Sequence, residues 1–299
     1  MDWRGSRWLL FALWLMCAAA TAAPVNVAVL LSDEAAPYQE FAQRLRVELQ
    51  SRPVNLSVQS GGTVPSQADL VVAVGLRATE QALRFNPPLP VLAVLLPRAA
   101  YLQLRRGVTQ PFSAIFLDQP PARRLALIGE AFPDRKRVGV VLGPESAGEL
   151  RSLQLAARER GLQLVSERID EADALLPALR RVLSEADLLL AVPDPLVFNR
   201  NTAQAILLTS YRAQKPVVGY SQAYVNAGAM VAVYSTPAQI ARQAAELIAA
   251  LPSPAALPPP QYPRYFSVAV NGQVARSLGI AVEPERVLLE RLGGPGGEE

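Results

Sequence analysis

Val138-Gly139-Val140-Val141-Leu142 is an apolar run of strand length. Gly143-Pro144-Glu145-Ser146 breaks it, Leu150, Leu153 and Ala157 then recur at helical spacing as far as Gly161, and Leu162 to Arg168 opens a second run. A strand, a turn, an amphipathic helix closed by glycine and another strand form the unit from which parallel sheets are built. The same alternation continues in both directions. Upstream, strands are expected at Val25 to Leu31, Val54 to Gln59, Leu70 to Val74, Val91 to Leu96 and Phe112 to Leu117; downstream, at Leu188 to Val192, Val217 to Tyr220 and Met230 to Tyr234. Several of these are unbroken Val, Leu and Ala, as strands covered on both faces require. Two similar five-strand sets predict an α/β protein of two doubly wound parallel-sheet lobes with a ligand cleft between them.

Smaller signals refine the outline. Thr236-Pro237-Ala238-Gln239 has the residues of a capping box with proline at the first helical position, and Ile240, Ala244, Leu247, Ile248 and Leu251 give the helix it opens one apolar face. Pro252 to Pro263 holds six prolines and reads as an extended connector. A last strand, Phe266 to Val270, and a short helix, Gln273 to Leu278, follow it. Residues 283–299 read as a C-terminal tail. About ten residues separate the second and third strands, too few for the usual crossover helix.

The 299 residues are 51% hydrophobic and 18% charged, enough to build real cores. There is no histidine, which removes Ser-His-Asp and Cys-His catalysis and His-ligated zinc. The single cysteine, Cys17, leaves no disulfide framework or thiolate cluster. The 29 basic and 26 acidic residues are dispersed, not striped, so nucleic acid is not an expected partner. Arg4 and Arg7, the apolar run Trp8 to Ala20 and the small residues Ala20-Thr21-Ala22 make residues 1–22 an expected cleavable signal peptide. Its apolar run is shorter than the ~20 residues that span a bilayer. Export to the periplasm is the implied address.

In open parallel sheets, ligands gather beyond the carboxyl ends of the strands. Reading those positions gives Ser32, Gly75, Arg77, Thr79 and Arg98 in the first lobe and Ser146, Asp194, Ser221, Gln222 and Tyr224 in the second as candidate ligand-binding residues. Arg77 and Arg98 are potential carboxylate partners. Asp194, between two prolines, suits a ligand ammonium or hydroxyl, or equally a turn cap. Tyr220 and Tyr224 are candidate aromatic walls or core residues. No dinucleotide or nucleoside-triphosphate glycine motif is present. No catalytic residue, metal ligand or cofactor is assigned.

The second half resembles a known family. Phe132-Pro133 through Arg137-Val138-Gly139-Val140-Val141, Ala156 to Leu162, Asp187 to Pro195, Lys215 to Ser221 with Val225 to Ala229, and Ala269-Val270-Asn271 with Ala275 to Gly279 are similar to the ABC transporter substrate-binding proteins related to tryptophan and tyrosine transport. Gly75 to Leu83 resembles that family's glycine-led helix start, with Leu76 where a hydroxyl residue is usual. The resemblance implies the type I periplasmic binding protein fold: lobe 1 from 23–117 plus 235–251, lobe 2 from 118–234 plus 262–282, and 252–261 as the proline-rich connector. It also implies an exported, monomeric, non-enzymatic solute-binding protein that delivers a small molecule, such as an amino acid or related compound, to an inner-membrane ABC permease. A module of the same fold reporting to a membrane sensor is the alternative, and a two-lobed glycosyltransferase-like enzyme a third reading.

Overall fold

The structure, a computed structural model, describes residues 24–61 and 65–294. The expected signal peptide with Cys17, the stretch 62–64 and residues 295–299 lie outside the described residues. Lobe 1 contains β1 (Val25–Leu31), α1 (Ala36–Leu49), β2 (Val54–Ser60), β3 (Leu70–Val74), α2 (Leu76–Ala82), β4 (Val91–Leu96), α3 (Arg98–Leu104) and β5 (Phe112–Phe116). The strands form one parallel sheet in the order β2-β1-β3-β4-β5. Lobe 2 contains α4 (Pro121–Ala131), β6 (Arg137–Leu142), α5 (Leu150–Arg158), β7 (Gln163–Arg168), α6 (Leu175–Glu185), β8 (Leu188–Leu190), α7 (Ala203–Arg212), β9 (Val217–Gly219), α8 (Gln222–Asn226) and β10 (Val231–Tyr234). The chain then returns to lobe 1 as α9 (Pro237–Ala250) before closing lobe 2 with β11 (Ser267–Val270), α10 (Gly272–Ser277) and α11 (Glu285–Arg291). The second sheet runs β11-β10-β9-β8-β6-β7, with β11 antiparallel at its edge. Both sheets turn their strand order at the first strand of the lobe, which opens a crevice at the carboxyl edge.

The apolar runs became buried strands because helices cover both faces of each sheet. In lobe 1, Phe41, Leu45 and Leu49 of α1 with Ile240, Ala244 and Ile248 of α9 cover one face, and Ala78, Ala82 and Tyr101 of α2 and α3 cover the other. In lobe 2, α4, α5, α10 and α11 cover one face and α6, α7 and α8 the other. The capping box of α9 forms as expected: Gln239 N–H donates to Thr236 Oγ1 at 3.1 Å and Thr236 N–H to Gln239 Oε1 at 3.0 Å. Among the described residues no helix stands between β2 and β3. The uncovered side of β2 carries Asn55, Ser57 and Gln59, while Val54, Leu56 and Val58 pack toward α1, so little apolar surface is left bare.

The tail expected over 283–299 is corrected in part. Residues 285–291 form α11, and its Leu288, fully buried, packs into the lobe 2 core. The mixed run Arg286-Val287-Leu288-Leu289 is helical because β11 and α4 offer it an apolar seat.

Three segments pass between the lobes, after β5, after β10 and before β11, and one hydrogen-bonded chain joins them. Gln119 Nε2 donates to Ser235 Oγ at 2.8 Å, and Ser235 Oγ donates to the Tyr265 carbonyl at 2.6 Å. Arg123 donates to Gln119 Oε1 at 2.6 Å and to the Pro263 carbonyl at 2.9 Å, with its guanidinium 4.0 Å above the Phe266 ring. Burial of this cation lowers its pKa to about 10.

Candidate functional site

Most of the hydroxyl and glycine positions expected in lobe 1 are consumed by the fold. Ser32 Oγ donates to the Val74 carbonyl at 2.8 Å and accepts from Ala78 N–H at 2.9 Å, capping α2 from a different strand. Gly75 enters α2 at φ +86°, and a Cβ there would lie 2.7 Å from Ser32 Oγ and 2.8 Å from Tyr38 Oη. Glycine is required by both the backbone and the space. Thr79, fully buried, donates back to the Gly75 carbonyl at 2.7 Å. Arg77 is exposed on the outer side of α2, beside Glu80 and Arg84.

In lobe 2 the polar residues at the strand ends are likewise engaged by their own loops. Asp194 is 3% exposed. Its Oδ2 accepts from Glu145 N–H (3.1 Å), Ser146 N–H (2.8 Å) and Ser146 Oγ (2.9 Å), and its Oδ1 from Leu196 N–H (2.9 Å). A carboxylate with four such donors has spent its lone pairs on its own loops. Asp194 and Ser146 together staple the turn after β6 to the turn after β8, the capping role that the sequence left open for Asp194. Gly143 is glycine because a side chain there would collide with the Asp194 carboxylate.

What the two lobes do enclose is a cavity of about 180 Å³ at the carboxyl ends of β4, β5, β9 and β10. Pro97, Leu117 and Asp118 face it from lobe 1, and Arg124, Tyr220, Ser221 and Tyr234 from lobe 2. Its walls are mostly apolar, and its charges are few and opposed. Asp118 Oδ2 accepts the backbone N–H of Arg98, the first residue of α3. Burial pushes the Asp118 carboxyl up, and the negative Glu149 adds to this against the opposing Arg98 N–H and Arg124 charge. Arg124 is 4% exposed and ion-paired with Glu149, while its Nε–H is buried and has no hydrogen-bond partner among the described residues. Ser221 caps α8 by accepting from Tyr224 N–H at 3.1 Å, and Gln222 accepts from the Tyr234 hydroxyl at 2.7 Å, fixing that ring at the cavity edge. A carboxylate acceptor and a guanidinium donor facing one apolar chamber suit a small solute that carries both kinds of polar group.

Of the residues expected from sequence, Ser221 lines this chamber, Arg98 supports it through its backbone and Gln222 through Tyr234. Tyr224 faces a different cavity on lobe 2. Asp118 was missed although it stands two residues beyond β5, where the strand-end rule already applies. Arg124 was missed for a better reason. It lies beside Leu125, Leu127 and Ile128 on an amphipathic helix, and only its burial distinguishes it from a solvated arginine. Among the described residues no group of acidic residues is placed to hold a metal, and no helix is long and apolar enough to cross a membrane.

A family model described as ABC transporter substrate binding protein matches residues 116–291. No curated protein matches the chain. Among solved structures, a conserved domain protein from Vibrio cholerae is similar at 21% identity and a TM-score of 0.62, covering 90% of this chain and 98% of its own. An ABC domain from Streptococcus pneumoniae in complex with L-Trp is similar at 16% identity and a TM-score of 0.59, covering 90% and 99%. A ligand-free, open substrate binding protein with adhesive properties from Clostridium difficile is similar at 15% identity and a TM-score of 0.67, covering 87% and 96%. At these identities the likeness is one of fold: two lobes of the type I periplasmic binding protein kind.

Proposed function

The chain belongs to the family of ABC transporter substrate-binding proteins, and from that premise we propose that it captures a small solute in the interlobe cavity and presents it to an inner-membrane ABC permease. The observation that carries this reading is that Asp118 and Arg124, a carboxylate and a guanidinium, both face the apolar chamber at the strand ends. A negative acceptor beside a positive donor with an unused N–H complements a zwitterion or a comparably bipolar molecule. An amino acid or related compound is the substrate class that fits this chemistry. The solute is bound and released without turnover, by a monomer.

A thermal-shift screen against amino acids and related small acids tests the reading. A ligand present at 100 times its Kd adds about 2.7 kcal/mol of stability, a shift of several degrees for lobes of this size. A hit should lose its shift in Asp118→Asn, and the absence of any hit across that class would reject it. The reading includes export, supported by the charged, apolar and small-residue regions of residues 1–22. Mass spectrometry of the periplasmic fraction is expected to find a mature N-terminus at Ala23, and an intact 1–22 segment held in the membrane fraction would reject export by cleavage.

A further inference from the structure

A second cavity opens on lobe 2 between α7 and α8, with a volume of about 790 Å³. This is within the range of sites for drug-sized ligands and larger than the interlobe chamber, whose volume suits a smaller solute. One wall is aromatic: the Tyr220 and Tyr224 rings stack 5.1 Å apart, and Phe198 meets them edge-on at 6.3 and 6.0 Å. Interlocked rings of this kind form a rigid apolar wall. Ala203, Ala223, Ala227 and Gly228 leave the floor open, and at the rim Leu208 and Tyr211 are 46% and 41% exposed. Apolar side chains so exposed beside a concave surface are characteristic of binding sites.

Two polar features select among apolar occupants. The Tyr224 hydroxyl is buried without a hydrogen-bond partner among the described residues, and Tyr224 as a whole is 6% exposed. Buried hydroxyls in native proteins nearly always find partners. Arg200 is the single charged residue of the lining; it is exposed and takes part in no ion pair seen among the described residues. An occupant with a flat ring and one negative charge complements the aromatic wall and Arg200 together. We propose that the α7–α8 groove, which abuts the interlobe chamber at Tyr220 and Ser221, is a second binding site of lobe 2 and that it takes an aromatic monocarboxylate. The ring packs against the outer side of this aromatic wall, at Tyr220, and the carboxylate pairs with Arg200.

Phenylacetate is the probe, titrated calorimetrically into the full chain. Saturable binding is expected, about tenfold weaker in Arg200→Gln, as one charge-assisted contact is lost, and similarly weaker for uncharged phenylacetamide. Ala227→Trp places an indole on the groove floor from an exposed position and should abolish binding without moving the unfolding midpoint. No binding at millimolar phenylacetate overturns the proposal. So does binding that survives Ala227→Trp but is lost in Arg124→Met, which would place the acid in the interlobe chamber.

Discussion

Asp194→Ala is expected to lower stability by about 3 kcal/mol, because it leaves the N–H groups of Glu145, Ser146 and Leu196 and the Ser146 hydroxyl without their acceptor. Each hydrogen bond to a charged group contributes about 1.5 to 3 kcal/mol, and partial rehydration of the loops keeps the total well below the sum of four. Gly143→Ala should follow in the same direction, since its new methyl would push against the same carboxylate. The measurement is the urea midpoint at constant m-value. An Asp194→Ala protein that unfolds like the parent but no longer binds its solute would return the carboxylate to the binding site.

Arg124→Leu should cost a similar amount, about 3 kcal/mol, for the opposite electrostatic reason. The substitution leaves the Glu149 carboxylate, 16% exposed, without its partner and removes the positive charge that faces Asp118. Breaking a buried ion pair by deleting one member is far more damaging than replacing both. Combining Arg124→Leu with Glu149→Gln is therefore expected to recover more than half of the loss, and a double-mutant cycle on unfolding free energies measures the coupling. Simple additivity of the two substitutions would show that the pair contributes nothing beyond its separate side chains.

The strands were readable because burial on both faces demands unbroken apolar runs, and runs as short as Leu70 to Val74, rich in β-branched residues, fit a strand better than a helix. The capping box at Thr236 was readable because all its members lie within four residues. The candidate site was harder, since its signals are relational. Asp194 and Asp118 both follow a strand, and nothing local says that the first is claimed by backbone donors 48 and 49 residues upstream while the second faces a cavity. Ser32 likewise looks like a free hydroxyl until α2 is placed over it. The groove residues Leu207, Leu208 and Tyr211 stand within five positions of one helix, and only exposure separates Leu208 and Tyr211 from the buried Leu207.

The chain from Gln119 through Ser235 to the Tyr265 carbonyl has a mechanical consequence. Three ribbons bonded side by side resist sliding past one another but bend together, like the leaves of a spring. Relative motion of the lobes is thereby expected to follow largely a single rocking coordinate. Arg123, bonded to two of the ribbons and pressed onto Phe266, is the side chain whose loss is expected to soften that spring most.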